Sequence, residues 1–217
     1  MESLPDHLSV EVEELCQFAR YLYNKGYTEA NGGNLSVRVR GNHLLTTPTM
    51  MSKGDLQPDD IVYCDMDGNV LYGRKRPSSE LKTHIAIYKS REDINAVVHT
   101  HPPYCCSYAY TSDNPFLCLS AETEIWLDNV QIVDFIMPGS DELSNVIGSI
   151  ACSTTNIMLR NHGIITYAPS LKEAVWKTDI MERQCMIMHL IESRGKSPVL
   201  IGNENKAKIA ILKQKLT

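Results

Sequence analysis

The hydrophobic positions of this chain follow two different periods, and the changes between them outline the predicted elements. Between Ser9 and Lys25 apolar side chains recur every three or four residues, which predicts an amphipathic helix with Gly26 at its end. Residues 34–39 alternate instead between apolar and polar side chains, and Gly41-Asn42 then predicts a hairpin into residues 43–46. The first part of the chain is therefore predicted to be a helix followed by paired strands.

Short strands and helices alternate through the rest of the chain. Apolar and β-branched runs predict strands at residues 61–65, 70–72, 96–98, 130–135 and 163–167, and one more leading to His162. Helical spacing and capping residues predict helices at residues 78–91, 102–110, 171–193 and 203–216, and one that begins near residue 140. Without an internal repeat or a linker, the prediction is a single α/β domain over residues 1–217.

Composition narrows the classes of function. The 217 residues are 43% hydrophobic, and the net charge of −5 with a pI near 5.8 argues against a general nucleic-acid binder. No apolar run approaches the roughly 18 residues of a membrane span, and the acidic start lacks the features of a signal peptide. The seven cysteines form no CxxC pair, so neither a zinc ribbon nor a redox pair is predicted. A cytoplasmic enzyme is therefore expected, with neither nucleic acid nor membrane as its partner.

A His-x-His pair follows the apolar strand at residues 96–98. His99 and His101 are two residues apart, so on an extended chain both imidazoles face the same side. A third histidine, His162, follows another apolar run, and Glu80 lies at the start of the preceding helix. Neutral imidazoles and carboxylates are ligands for a divalent metal such as zinc. The alternative is that the paired histidines are half-buried and hydrogen-bonded at a strand end.

Two other stretches have the features of an anion site. Ser78 and Ser79 open a predicted helix whose free N–H groups bind phosphate readily, although a simple N-cap explains one serine equally well. The glycine turn at residues 31–33 leads into Asn34 and lets the backbone approach a ligand, although a plain hairpin entry has the same sequence. His84 lies four residues after Glu80 and could form a competing Glu–His metal pair with it, but it is interpreted as a packed or exposed helical histidine.

Five stretches, taken in order, give the chain a specific resemblance. GGNLSVR, TPT, PSSE, AVVHTHPPY and LRNHG occur at separations that resemble those of the class II aldolase/adducin family, over roughly residues 10–195. This family includes L-fuculose-1-phosphate aldolase, L-ribulose-5-phosphate 4-epimerase and methylthioribulose-1-phosphate dehydratase. The resemblance implies a three-layer α/β/α fold around a central, mostly antiparallel sheet. It also implies a homotetramer with sites at subunit interfaces.

The resemblance further implies the residues of the site and its reaction. The residues expected to hold one Zn²⁺ per subunit, or Mn²⁺ or Co²⁺ in its place, are His99, His101, His162 and Glu80. Glu80 is expected to serve either as fourth ligand or as general base. The residues expected to bind the substrate phosphate are Asn34, Thr49, Ser78 and Ser79. The expected reaction is cleavage of a ketose 1-phosphate to dihydroxyacetone phosphate and an aldehyde through a metal-stabilised enediolate.

Two departures from the aldolase pattern keep sister reactions open. The stretch CLSAETEIW lacks the tyrosine that fuculose-phosphate aldolases use for protonation, and Met50 stands where those aldolases usually have glycine. Glu122, with Glu124 as a second choice, is placed like the acid–base residue of the dehydratase branch. A dehydratase, epimerase or decarboxylase that uses Glu122 is therefore the alternative function. A non-catalytic, adducin-like assembly module is a more remote alternative.

Overall fold

The structure is a computed structural model that describes residues 6–127 and 129–216. Its α-helices are α1 (Ser9–Asn24), α2 (Leu81–Ser90), α3 (Pro103–Ala109), α4 (Ala121–Trp126), α5 (Asp141–Ile150), α6 (Leu171–Ser193) and α7 (Asn203–Leu216). Its strands are β1 (Asn34–Val39), β2 (His43–Thr46), β3 (Val62–Cys64), β4 (Val70–Tyr72), β5 (Ala96–Thr100), β6 (Gln131–Val133), β7 (Asn156–Leu159) and β8 (Gly163–Ala168). The predicted domain of residues 1–217 includes residues 1–5, 128 and 217, which lie outside the described residues.

The strands form one sheet in the order β4-β3-β2-β1-β5-β8-β7-β6. Neighbouring strands are antiparallel except for β6 and β7, which run parallel, so the sheet is mostly antiparallel as predicted. The central strand β5 places His99 opposite Asn34 of β1 and Ile165 of β8. Because His99 lies near the end of β5, this pairing brings residues far apart in sequence together at that end of the strands.

Helices cover both faces of the sheet. Because side chains alternate along a strand, Ala96 and Val98 of β5 pack with α1 on one face, whereas Val97 packs with α2 and α5 on the other. A third apolar cluster joins α3 and α6 to β7 and β8. Within the described residues, no helix has both the length and the apolar character needed to cross a membrane. The predicted three-layer α/β/α architecture is confirmed.

Local sequence explains where several elements begin and end. The hydroxyl of Ser140 accepts the N–H of Leu143 at 3.1 Å, and the hydroxyl of Ser170 accepts the N–H of Glu173 at 3.2 Å. These are N-cap contacts that stabilise α5 and α6 by about 1 kcal/mol each. Between β1 and β2, Gly41-Asn42 has positive φ angles of 77° and 58°. The hairpin predicted at these two residues is therefore confirmed, and its turn has a left-handed backbone.

One expected boundary needs correction, and two local features were left open by the sequence pattern. Helix α2 begins at Leu81 with Glu80 as its N-cap, so Ser78 and Ser79 precede the helix rather than open it. The reason is that the hydroxyl of Ser78 accepts the N–H of Glu80 at 3.2 Å, which forms a turn before the helix. Strand β5 ends at Thr100, so His101 lies just beyond it. The sequence pattern did not predict α4, because six residues are too few to show a helical period.

Candidate metal centre and active site

Three histidines meet at the end of the sheet where β5, β7 and β8 lie close together. His99 lies in β5, His101 follows that strand, and His162 lies in the turn between β7 and β8. Nε2 of His99 lies 3.0 Å from Nε2 of His101 and 3.2 Å from Nε2 of His162. The ligand atoms of the three residues all lie within 4.8 Å of one another. The fold therefore brings together the three histidines that the sequence predicted as ligands.

Hydrogen bonds at the outer ring nitrogens determine where two of these imidazoles carry their hydrogen. Nδ1 of His99 lies 2.9 Å from the carbonyl oxygen of Ile164, which only accepts, so this nitrogen is the donor. Nδ1 of His101 likewise donates to the carboxylate of Glu29 at 2.8 Å. In the neutral rings each Nε2 therefore carries a lone pair and no hydrogen, and the two Nε2 atoms lie only 3.0 Å apart. A cation between them makes that arrangement favourable, as in a metal centre.

Burial keeps two of the imidazoles neutral. Burial and the neighbouring His101 lower the pKa of His99 well below its usual value. Burial, and then repulsion from His99, lower the pKa of His162 to about 3. Both rings are therefore unprotonated at pH 7, which is the form that binds a metal. Two nitrogens bound to one tetrahedral zinc ion lie about 3.3 Å apart, and the observed separations of 3.0 and 3.2 Å fit such an ion.

Glu80 adds a carboxylate beside the histidines. Its Oε2 lies 3.3 Å from Nε2 of His99, and its Oε1 lies 3.6 Å from Nε2 of His162. The side-chain amide of Asn34, opposite His99 in the sheet, donates to Oε2 at 2.8 Å and holds the carboxylate toward the rings. Glu80 can therefore ligate a metal or accept a proton from a molecule bound there. The contact made by Asn34 differs from its expected phosphate contact, which stays a prediction.

The other residues expected to bind phosphate lie in two segments that touch. The N–H of Thr49 donates to the carbonyl of Arg76 at 3.0 Å, so the loop that contains Thr49 lies against the segment that leads to α2. Ser78 is buried and bonded to the N–H of Glu80, whereas Ser79 is exposed. The fold thus places Thr49 and the two serines around the entrance to α2, next to Glu80. Their binding of phosphate stays a prediction.

Glu122 makes no contact with the histidines among the described residues. It is exposed in the first turn of α4, where Ser120 is the N-cap, and its side chain forms no hydrogen bond or ion pair with any described residue. Glu124, the second choice, faces Lys206 of α7 at 3.8 Å. Among the described residues, no hydrogen bond or ion pair therefore joins Glu122 to His99, His101 or His162. Its catalytic role stays a prediction.

The remaining histidine near the site is structural, as expected. Nδ1 of His84 lies 2.7 Å from the hydroxyl of Ser36, which also lies 2.9 Å from the hydroxyl of Tyr88. Burial lowers the pKa of His84 to about 4, so this ring is neutral at pH 7. His84 therefore belongs to a buried polar network below the site.

The sequence did not indicate one contributor to the site, Glu29, and did not predict what the backbone at Gly33 approaches. Glu29 lies in a turn without any periodic pattern, and only the fold brings its carboxylate to His101, 72 positions away. Gly33 has a φ of +67°, and a Cβ at this position would lie 2.9 Å from the carbonyl oxygen of His99. The doubled glycine was a signal for close backbone approach, but the partner in that approach was not predictable. The signal for Glu29 was absent.

Comparisons with known proteins agree with this geometry. The family model of the Class II Aldolase and Adducin N-terminal domain matches residues 13–189. The L-fuculose phosphate aldolase of Methanococcus maripaludis is 34% identical over 184 residues, which are 85% of this chain and 99% of that protein. The 3-oxo-tetronate 4-phosphate decarboxylase of Haemophilus influenzae is 30% identical over 84% of this chain and 88% of that protein. A solved L-fuculose 1-phosphate aldolase is 26% identical, with a TM-score of 0.86 and 98% of both chains covered. The chain therefore belongs to the class II aldolase and adducin family.

Proposed function

We propose that the protein is a zinc-dependent class II sugar-phosphate aldolase that cleaves a ketose 1-phosphate to dihydroxyacetone phosphate and an aldehyde. The observation that supports this proposal best is the convergence of three Nε2 atoms at 3.0 and 3.2 Å with the carboxylate of Glu80 beside them. A similar protein, 34% identical, is an L-fuculose phosphate aldolase. Neither observation depends on the other.

The residues that would hold the ion are His99, His101 and His162, with Glu80 within reach as a fourth ligand. When bound, the metal supplies a Lewis acid that stabilises negative charge developing on the substrate's oxygen atoms. Glu29 and the carbonyl of Ile164 keep His101 and His99 in the tautomer that presents Nε2 to the ion. The protein thus contributes ligands whose direction is already set before a metal binds.

Glu80 is the proposed general acid–base residue. Its carboxylate lies within 3.3 and 3.6 Å of two ligand nitrogens, so a substrate bound at the histidines would meet one of its oxygens directly. Asn34 holds the other oxygen at 2.8 Å, which directs the carboxylate without neutralising it. In the cleavage direction Glu80 would take the hydroxyl proton whose loss breaks the C–C bond. It would then be positioned to return a proton.

Phosphate binding is proposed for Thr49, Ser78 and Ser79, with Asn34 nearby. The contact between the Thr49 loop and the segment before α2 supports this assignment, because it gathers hydroxyl groups next to Glu80. A phosphate held there would orient the reacting carbons toward the carboxylate. The expected homotetramer, with its sites at subunit interfaces, belongs to the same proposal. Light scattering of the purified protein tests it.

A sister reaction is the second candidate. A 3-oxo-tetronate 4-phosphate decarboxylase is 30% identical to this chain, so the same site supports a decarboxylase as well as an aldolase. A dehydratase or an epimerase is open for the same reason. In these alternatives Glu122 would supply acid–base chemistry. A non-catalytic module is the least supported reading, because it leaves the four ligand residues without a role.

A zinc-supplemented assay on a panel of ketose phosphates tests these candidates. The panel contains fuculose, ribulose and methylthioribulose 1-phosphates and a 3-oxo acid phosphate, and products are identified by mass. Release of dihydroxyacetone phosphate that is lost in His99→Ala supports the aldolase. Loss of carbon dioxide or water instead, abolished in Glu122→Gln, supports the sister reaction. Absence of zinc binding by the purified protein would overturn both.

A further inference from the structure

Lys53 is a buried cation that the proposed reaction does not use. Lys53 is 1% exposed, and its ammonium group donates to the carbonyl oxygens of Met51 at 2.7 Å and Asn31 at 3.1 Å. Both acceptors are neutral backbone groups. Within residues 6–127 and 129–216, no carboxylate forms an ion pair with Lys53. An ammonium has three hydrogens to donate, so the two carbonyls leave it incompletely matched.

Burying this charge is unfavourable in the free protein. Burial lowers the pKa of Lys53 to about 8, and the nearby charge of Glu29 opposes that shift. At neutral pH the side chain is therefore still mostly charged. A buried cation without a carboxylate partner is destabilising, since two neutral carbonyls replace only part of its hydration. A neutral side chain of similar length would relieve that cost.

The position of Lys53 relates it to the anion-binding segments. Asn31 belongs to the glycine turn before β1, and Met51 belongs to the loop that contains Thr49. Lys53 thus joins the two loops that the sequence singled out as phosphate-binding. A dianion bound between the two loops would therefore lie beside this buried charge.

We propose that Lys53 is the buried positive charge of the phosphate subsite, joining the two phosphate-binding loops and attracting the phosphomonoester dianion of the substrate. This inference rests on the proposed function, because it assigns the charge that function needs. The phosphate residues expected from the sequence, Asn34, Thr49, Ser78 and Ser79, are all uncharged. Hydrogen bonds to a dianion in a partly buried site are stronger when a fixed cation accompanies them.

The exposed basic run Arg74 to Arg76 is the competing source of positive charge. It lies beside the same segments, and Lys75 is exposed with Asp60 as an ion-pair partner at 3.9 Å. An exposed charge is screened by salt, whereas a buried one is screened much less. Lys53→Met and Lys75→Met each remove one positive charge from this region. The two variants therefore separate a buried, specific charge from the general field.

The test is calorimetric titration of the zinc-loaded protein, freed of excess zinc, with inorganic phosphate at low and high salt. We expect Lys53→Met to bind phosphate roughly tenfold more weakly or worse at both salt concentrations. Lys75→Met should stay within about twofold of the unmodified protein at high salt. Zinc affinity should be the same in all three proteins. The urea midpoint of Lys53→Met should be equal to or higher than that of the unmodified protein.

A second variant covers the case in which Lys53→Met does not fold. Lys53→Gln retains an amide donor for the loop carbonyls but has no charge, so it should fold and still bind phosphate weakly. Unchanged phosphate affinity in Lys53→Gln or Lys53→Met overturns the inference. Failure of both variants to fold also overturns it, because Lys53 then serves the loops rather than the ligand. If the unmodified protein binds zinc but no phosphate, the phosphate subsite of the proposed function fails together with Lys53.

Discussion

Replacing Gly33 by alanine tests how closely the glycine turn must approach the metal centre. Gly33 has a φ of +67°, and an added Cβ would lie 2.6 Å from Cγ2 of Thr28 and 2.9 Å from the carbonyl oxygen of His99. Thr28 is β-branched and stiff, and the carbonyl of His99 belongs to the central strand β5. The carbonyl cannot move away without a shift of backbone, and Thr28 can do so only by leaving its χ1 rotamer. Gly26 is the matched control, because its φ is +74° and nothing lies within 4 Å of its added Cβ.

The two substitutions share one cost and differ in the other. The left-handed backbone costs alanine roughly 1–2 kcal/mol at either position. Overpacking adds about 1–3 kcal/mol at Gly33 only. The loss of unfolded-state entropy on replacing glycine stabilises both variants equally and cancels in the comparison. Gly33→Ala should therefore be about 1–3 kcal/mol less stable than Gly26→Ala.

Urea denaturation of both variants measures this difference. Zinc affinity provides a second readout, because the carbonyl of His99 must shift in Gly33→Ala and the ligand geometry shifts with it. We expect weaker zinc binding in Gly33→Ala and unchanged zinc binding in Gly26→Ala. Equal urea midpoints in the two variants would refute the close approach. The expected extra loss of stability in Gly33→Ala, together with unchanged zinc affinity, would show that the turn and the metal centre are not coupled.

Three further predictions follow from buried or bonded side chains. Glu29 bonds to His101, and Glu29→Ala should weaken zinc binding about tenfold. This is the low end of the range for residues that hydrogen-bond a metal ligand, because Glu29 is largely exposed. Competition with a chelator measures the zinc affinity. His84 stays neutral in the fold with a pKa of about 4, whereas in the unfolded chain it titrates near 6.5. Stability from this group is therefore complete above pH 6.5 and lost as the pH falls toward 4, by about 2 kcal/mol between pH 7 and pH 5 in urea titrations. Glu182, buried on α6, accepts the N–H groups of Tyr104 and Cys105, so Glu182→Leu should lower the unfolding free energy by about 2–4 kcal/mol.

Each of these predictions has a control that separates it from general effects. Glu92→Ala removes an exposed carboxylate elsewhere, and zinc affinity equal to that of Glu29→Ala would contradict the role of Glu29. His84→Gln should remove about 2 kcal/mol of the pH dependence of the metal-free protein between pH 7 and pH 5, while His99 and His162 keep their own contributions, so parallel curves would exclude a contribution from His84. Glu182→Gln keeps a carbonyl acceptor and should be less destabilised than Glu182→Leu. An unchanged urea midpoint in Glu182→Leu would count against its role at α3.

Many of the helices and strands could be predicted from the sequence, because they depend on residues a few positions apart. The period of apolar residues predicted α1, α6 and the hairpin of β1 and β2, and the resemblance implied the mostly antiparallel sheet. The start of α2 was wrong by a few residues, since the side chain of Ser78 bonds to Glu80 in a turn that the serine pattern alone does not distinguish from an N-cap.

The candidate site likewise contains residues that the sequence predicted and contacts that only the fold creates. His99, His101 and His162 were predictable as ligands because each follows an apolar run, and Glu80 because it begins a helix beside them. The sheet order, with β5 between β1 and β8, is what brings these residues within hydrogen-bond distance. The same strand order decides which residues form hydrogen bonds with the candidate ligands. Glu29 reaches His101 across 72 positions, and Asn34 reaches Glu80 across 46.

The sequence by itself predicted most of the element types, the candidate ligand residues and the family. Only the tertiary structure decided that Asn34 holds Glu80, that Glu29 orients His101, and that Lys53 is buried between two loops. The physical reason is that period and capping act between residues a few positions apart. Contacts such as these form when strands pair across the sheet, and their energies depend on burial and neighbouring charge, which no short stretch of sequence contains.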